Sequence, residues 1–404
     1  MKKAIRKVTY RMYPSTSQEA SLMELFVHHH QLYNWALRDR IETYREFNYG
    51  LSFSEQCKIN TRWRNNRNSH GLFNANAQSE QVTLKRVALA FDGFFRRLKK
   101  GDKNAGFPRF KPFQRFKGWG YKTHGDGWKL HLKTKKHGAV YLADVGIIKI
   151  RGKARNENGI PKTSEIILKN GEWFISVSFE YEQIKRKCGT KAIGLDWGIE
   201  YYFSIVDHKG NFEQIENPRY LKQSKALLTS LQRDLSLAKK GTRTHRKLKS
   251  KTAKLHQKIA RQRLDFTHKQ TSKLVEVSAL IATEKLTVKN MTCSAKGTAK
   301  KHGKNVKQKA GLNREILNTA PAMTLNLLSY KAAEAGSEYV EIPTRQVKPS
   351  QTCPNCGAKK KKSLAVRWHS CSCGCELPRD VASAQVNLNW ALGIQAGNPP
   401  KKVT

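Results

Sequence analysis

A chain of 404 residues is long enough to bury a sizeable core and to form two or three modules. It carries 76 Lys+Arg against 31 Asp+Glu, a formal net charge of +45 spread from end to end. So basic a chain repels itself unless it meets a polyanion, which argues against a merely solvated surface and makes nucleic acid the expected partner. No membrane is expected, since no segment approaches ~20 apolar residues and no signal peptide is visible; a cytoplasmic protein is the expectation. Five of the eight cysteines fall between 353 and 375, unlike a short secreted disulfide scaffold. Cys57, Cys188 and Cys293 stand alone and read as inert thiols.

Residues 4–13 alternate, with Val8, Tyr10 and Met12 on one face and Lys7, Thr9 and Arg11 opposite, which predicts a half-buried strand stopped by Pro14. Ser15 and Gln18 make a capping box for a long helix in which Leu22, Leu25, Phe26, His29, Leu32, Tyr33 and Ala36 recur at helical spacing. Within it His28, His29 and His30 cannot share one metal, because adjacent helical residues point in different directions. Helices around 53–64 and 79–99 follow, and Leu84, Val87, Phe91, Phe94, Phe95 and Leu98 are expected to bury one side of the second.

From 101 to 119 the chain becomes a basic loop interleaved with aromatics. Arg109, Phe110, Lys111 and Phe116 are candidate contacts for RNA or single-stranded DNA, rings stacking on bases and cations meeting phosphates. The same rings could instead pin the loop to its own domain. Residues 120–183 are β-rich, with a hairpin at Asn170-Gly171 and an apolar face on the odd positions from Trp173 to Tyr181. A small barrel is expected, with the 4–13 strand pairing into it and the helices as an insertion. The run Lys185-Arg186-Lys187, followed by Gly189, marks a domain boundary.

Beyond it, Ala192-Ile-Gly-Leu195-Asp196 reads as a buried strand ending in a carboxylate, with strands at 201–206 and 212–215 after it. Residues 219–276 read as a basic helical pair turning at Gly241-Thr242. It serves as a coiled hairpin and, through Arg246, Lys254 and Arg261, as a candidate phosphate track. A buried strand ending at Glu284, a polar mobile stretch at 292–311, a helix at 313–336 kinked at Pro321 and a strand at 338–342 lead to the cysteines. There Cys353-Pro-Asn-Cys356 and Cys371-Ser-Cys373 offer two turns of paired thiolates, the donor set of a structural Zn²⁺ knuckle. Cys375 and His369 stand beside the second pair as spare ligands, so the fourth ligand stays open. Asp380 then opens a helix whose apolar side is expected to be Ala382, Val386 and Trp390.

Asp196, Glu284 and Asp380 thus sit at element ends, where converging carboxylates can hold two Mg²⁺ ions on a phosphodiester. Singly, such acids cap turns or pair with neighbouring cations; together, with the element order, they predict an RNase H-like sheet. Gly194-Leu-Asp196-Trp-Gly198, Thr283-Glu284-Lys-Leu286, the 313–336 segment, Cys353-Pro-Asn-Cys356-Gly357 and Arg379-Asp380 resemble the TnpB family of transposon-encoded nucleases, relatives of type V CRISPR effectors. So do Tyr10-Arg-Met-Tyr13-Pro14, Tyr33-Asn34-Trp35 and Gly106-Phe-Pro-Arg109-Phe110.

The resemblance covers nearly the whole chain. It implies an α/β and β multi-domain protein: a β-barrel wedge domain (1–14 and 119–188), a helical recognition domain (15–118), a RuvC nuclease domain (189–349 and 377–396), a zinc-binding module (350–376) and a disordered tail (397–404). It implies a Mg²⁺-dependent endonuclease, a monomeric ribonucleoprotein directed by a noncoding guide RNA to double-stranded DNA beside a short transposon-adjacent motif. Asp196, Glu284 and Asp380 match the family's catalytic triad. Two features depart from the pattern: Pro378 replaces an acid usual two residues before the last Asp, and the second cysteine pair has one intervening residue rather than two. A nuclease-inactive RNA-guided repressor and a strand-transfer transposase are the alternatives. The first would typically lack one of the three acids.

Overall fold

The computed structural model describes residues 3–69, 75–102, 104–134, 137–152, 159–182, 187–298, 301–363 and 365–394. Lys185, Arg186 and the expected tail at 397–404 lie outside the described residues. The chain divides into two compact units, Met1–Gln183 and Ile184–Thr404.

In the first unit, β1 (Lys3–Tyr13) runs into α1 (Thr16–Phe47), which opens with the capping box at Ser15 and Gln18 and closes with Asn48 in the left-handed region at φ 50°. α2 (Phe53–Ser69) and α3 (Ala77–Lys99) follow. Six strands come next: β2 (Gly118–Tyr121), β3 (Trp128–Leu132), β4 (His137–Leu142), β5 (Gly146–Arg151), β6 (Ile160–Lys169) and β7 (Glu172–Glu182). With β1 they form an antiparallel sheet ordered β2-β6-β7-β1-β5-β4-β3. The first strand therefore pairs into the later ones, Val8 opposite Val177 and Tyr10 opposite Ile175. Asn170 and Gly171, at φ 54° and 76°, turn the β6–β7 hairpin in the positive-φ form that matches strand twist. Trp173, Ile175, Val177 and Phe179 face inward, with Tyr10 and Met12, onto Leu22, Leu25, Phe26 and Leu37.

The three histidines of α1 point three ways, as adjacent helical residues must. His28 meets Glu80, His29 lies between the hydroxyls of Ser79 and Thr83, and His30 reaches the carbonyl of Lys111. The expected stripe on α3 is buried only at Leu84 and Val87; Phe95 and Leu98 are exposed. The helix runs on past the elements it packs against, so periodicity marked its apolar side but not how much of it would be covered.

In the second unit, β8 (Lys191–Trp197), β9 (Tyr201–Asp207) and β10 (Phe212–Glu216) form an antiparallel meander. After α4 (Tyr220–Gln223), α5 (Lys225–Leu237) and α6 (Arg243–Val277), β11 (Ser278–Glu284) returns parallel to β8. α7 (Val288–Met291), α8 (Val306–Thr319) and α9 (Pro321–Ala335) precede β12 (Glu338–Ile342), parallel to β11. The sheet order is β10-β9-β8-β11-β12.

α10 (Thr344–Val347), the short hairpin of β13 (Trp368–Ser370) and β14 (Glu376–Pro378), and α11 (Arg379–Ala391) complete the unit. α8 begins within the stretch read as mobile, and the helix expected over 313–336 is two helices. Proline disfavours the α region for the residue before it, and Ala320, before Pro321, sits at φ 51°. Trp390, expected on the packed side of α11, is exposed; the buried side runs through Val381, Ala382, Ala384, Val386 and Leu388.

Candidate functional site

β8 and β11 lie side by side and parallel, Leu195 opposite Thr283. The next residue along each strand is an acid, Asp196 on β8 and Glu284 on β11, so two sequence-remote carboxylates leave adjacent strand ends. α11 crosses this end of the sheet in van der Waals contact. A Cβ on Gly194 would stand 2.0 Å from the carbonyl oxygen of Ala384, so only glycine lets the helix come this close. Asn387, fully buried, fixes the approach by donating from Nδ2 to the Leu195 carbonyl at 2.8 Å.

The helix then places Ser383 between the two acids. Its hydroxyl lies 3.2 Å from Asp196 Oδ1 and 3.4 Å from Glu284 Oε1. Asp380 occupies the first turn of the same helix, three residues earlier and so on the same side. Burial, followed by the charges of Glu284 and Asp380, pushes Asp196 well above the usual carboxylate range, against the pull of the Ser383 hydroxyl. Burial also raises Glu284, and raises Asp380 although Arg367 and Arg379 oppose it.

Among the described residues the three carboxylates do not fall within the 4.8 Å spread that marks the cysteine sets below. They are hard-oxygen donors, the kind of set that suits Mg²⁺. Ser383 was not singled out in the sequence; its spacing of three from Asp380 was the available signal.

Beside this site Cys353 and Cys356 open one turn, closed by Gly357 N–H donating to the Cys353 carbonyl at 3.0 Å, and Cys371 and Cys373 open the other, closed by Gly374 N–H onto Cys371. Both glycines have positive φ, 74° and 81°, where a side chain is strained. Cys353 and Cys373 sulfurs are 3.6 Å apart, as are those of Cys356 and Cys371, and all four ligand atoms lie within 4.8 Å of one another. The backbone N–H of Cys373 and then the Cys356 thiol hold Cys371 down at about 6. Cys356 is raised, the pull of the Ala358 N–H being outweighed by the Cys371 and Cys373 thiols, and so is Cys373, where the pull of the Cys375 N–H is outweighed by burial and the Cys353 thiol. Four converging thiols of which one ionises readily form a donor set suited to a thiophilic cation. Cys373 thus joins the first three cysteines, while Cys375 and His369 form a separate group with Cys353. Asn389 of α11 donates to the Pro354 carbonyl at 2.9 Å, tying the first knuckle to the helix that carries Asp380.

The nucleic-acid candidates divide. In the first unit Arg109 and Phe110 are exposed. Lys111 is half-buried, its ammonium 3.8 Å from the Tyr33 ring centre and its backbone held at both ends by Asn34. Phe116, expected as a contact, is instead buried edge-on against Phe26 and His30, so its ring is not free to stack on a base. Sequence reading missed Arg86, Arg115 and Lys117, which with Lys111 and Glu165 line a basic cleft of about 350 Å³. In the second unit Arg246, Lys254 and Arg261 are exposed along α6, seven or eight residues apart and so on one side of the helix.

Fold and site together define a mixed α/β protein with acids gathered at one end of its second sheet. The structure resembles that of a Cas12f1 chain solved as a Cas12f1–sgRNA–target DNA complex, with a TM-score of 0.51 over 96% of this chain and 98% of that one at 11% identity, a likeness of fold alone. Residues 175–295 match a family described as "Probable transposase", 322–387 one described as "Cas12f1-like, TNB domain", and 1–48 one described as "Helix-turn-helix domain". The last span is here one strand and one 32-residue helix. Two relatives are each 28% identical. One, from Streptomyces pristinaespiralis, covers 98% of this chain and 92% of its own length; the other, InsQ of Escherichia coli (strain K12), covers 95% and 90%. Both are provisionally named RNA-guided DNA endonucleases. These matches bear out the resemblance of the chain to the TnpB family.

Proposed function

We propose that this protein is an RNA-guided DNA endonuclease of a transposable element, cutting guide-matched DNA beside a short transposon-adjacent motif. The observation that carries the reading is the convergence of Asp196 and Glu284 on the hydroxyl of Ser383, with Asp380 on the same helix. Asp196, Glu284 and Asp380 would hold the Mg²⁺ ions, being hard-oxygen donors brought to one end of the sheet. When bound, such ions supply an activated water and neutralise charge on the leaving oxygen. The chain's own part is positional: Ser383 and Asn387 keep the strand-end acids aimed, and Arg367 and Arg379 set cations beside Asp380.

The four cysteines would hold a structural Zn²⁺ that fixes the start of α11. The first unit would act as wedge and recognition domains, with Arg109, Phe110 and Lys111 meeting RNA, and α6 would track phosphates through Arg246, Lys254 and Arg261. The working form would be a monomeric ribonucleoprotein in a prokaryotic cytoplasm; among the described residues no helix is long and apolar enough to cross a membrane.

The test is a plasmid bearing a guide match and adjacent motif, incubated with the ribonucleoprotein in Mg²⁺ or EDTA. Asp196→Ala should lower cleavage by several orders of magnitude while guide-directed DNA binding survives. Cutting by the variant at the wild-type rate would remove this site from consideration.

A further inference from the structure

The cysteine ribbon carries one more thiol than a tetrahedral ion can use. Cys375 does not join the four-sulfur set; it lies with Cys353 and His369, the ligand atoms of these three again within 4.8 Å of one another. The two sets differ in exposure. Cys356 and Cys373 are exposed and Cys371 half-buried, whereas Cys353, Cys375 and His369 are 1%, 4% and 3% exposed.

A second observation points the same way. Nδ1 of His369 is taken by the ammonium of Lys362, but Nε2 is buried and meets no hydrogen-bond partner. A buried imidazole nitrogen left open beside two buried sulfurs is costly unless something occupies it at times. Two thiolates and an imidazole are the ligands that select zinc and similar thiophilic ions.

We propose that the ribbon contains a reserve seat for its metal, made of Cys353, Cys375 and His369, which takes the ion when an exposed thiol of the first set is lost. Cys353 belongs to both seats and acts as the pivot. The exposed sulfurs, Cys356 and Cys373, are those open to oxidation, and a thiolate converted to sulfenate by a peroxide, with release of water, is a poorer metal ligand. The ion then moves inward instead of leaving; Cys375 gives up its proton to solvent as it binds, and the ring proton of His369 passes from Nε2 to Nδ1, which lets go of the Lys362 ammonium. The inference concerns the ribbon alone and stands whether or not the protein is a guided nuclease.

The experiment uses the full chain loaded with zinc, then with Co²⁺, whose absorption distinguishes thiolate from mixed thiolate–imidazole ligation. Cys375→Ser should keep one zinc per chain and a four-thiolate spectrum. Cys373→Ser should also keep one zinc per chain, with the Co²⁺ bands shifted to mixed ligation, and Cys373→Ser/Cys375→Ser should lose the metal. Loss from Cys373→Ser as complete as from the double variant would overturn the proposal. A second arm guards against misfolding of Cys373→Ser. Wild type and Cys375→Ser, both with an intact first set, are exposed to limiting hydrogen peroxide and zinc release is followed with a chromogenic chelator. Faster release from Cys375→Ser is expected; equal release from the two proteins would also overturn it.

Discussion

Replacing Asp196 by Asn removes one of two carboxylates buried side by side, and in metal-free protein this should stabilise the fold it disables. Hydrogen-bond legs of 3.2 and 3.4 Å through Ser383 set the Asp196 and Glu284 oxygens no more than about 6.6 Å apart. At an effective dielectric near 20, two unit charges at that greatest separation repel by about 2.5 kcal/mol, and by more if they lie closer. The pH dependence follows from the raised position of Asp196. A carboxyl that titrates higher folded than unfolded opposes folding only where the unfolded chain is already ionised. The difference between variant and wild type should be absent below about pH 4, open as pH rises, and level off above the folded value.

Thermal unfolding in EDTA at acid and neutral pH reads this directly. A gain of that size shifts the midpoint of a unit this long by roughly 5–10 °C. Mg²⁺ should then raise the wild-type midpoint and leave the variant nearly unmoved, because only the intact acid set binds the ion. Equal midpoints in EDTA at neutral pH would refute the picture of mutually repelling acids. A wild type indifferent to Mg²⁺ would refute the metal site.

Three further outcomes are expected. Glu80 is fully buried and receives His28, Arg64 and Asn60, so Glu80→Ala should cost about 3–5 kcal/mol in denaturant unfolding. Burial pushes Glu80 upward but its hydrogen bonds outweigh that and hold it low; its contribution should be complete above about pH 4.3 and disappear as pH falls through the folded value. Phe116→Ala should cost about 3–5 kcal/mol of stability and leave the RNA affinity of folded protein unchanged. Phe110→Ala should do the reverse, weakening RNA binding by about 1–3 kcal/mol at an unaltered melting midpoint. Cys353→Ser should release zinc and expose the segment from 352 to 378 to protease, and metal analysis showing full occupancy in that variant would contradict the ligand assignment.

Legibility in the sequence followed the range of the interaction. β1, the Ser15–Gln18 box and the Asn170-Gly171 turn depend on neighbours one to four residues away, and each stands where its pattern placed it. Phe116, Phe95 and Trp390 were misread because burial is decided by what arrives from elsewhere. Phe116 is covered by Phe26 and His30 of α1, whereas Phe95 meets Phe91 and Phe94 of its own helix and stays exposed. The break at Ala320 was visible as Pro321 yet underrated, since a proline at the first turn starts a new helix as readily as it kinks an old one.

The acids of the site were legible for a different reason. Each ends an apolar strand or opens a helix, positions where a carboxylate is exposed to whatever gathers at one end of a sheet. What the sequence could not give was their grouping. That depends on the parallel return of β11 beside β8 and on α11 descending onto Gly194, a contact that a single methyl group would block. Once α11 lies there, helical periodicity does the rest: residues 380, 383 and 387 face the sheet in succession, as an acid, a hydroxyl shared by two other acids, and an amide that locks the strand beneath. One helix therefore supplies both a charged group and the means of holding the other two. The ribbon tied to it through Asn389 and Pro354 acts on the chemistry by fixing where that helix begins.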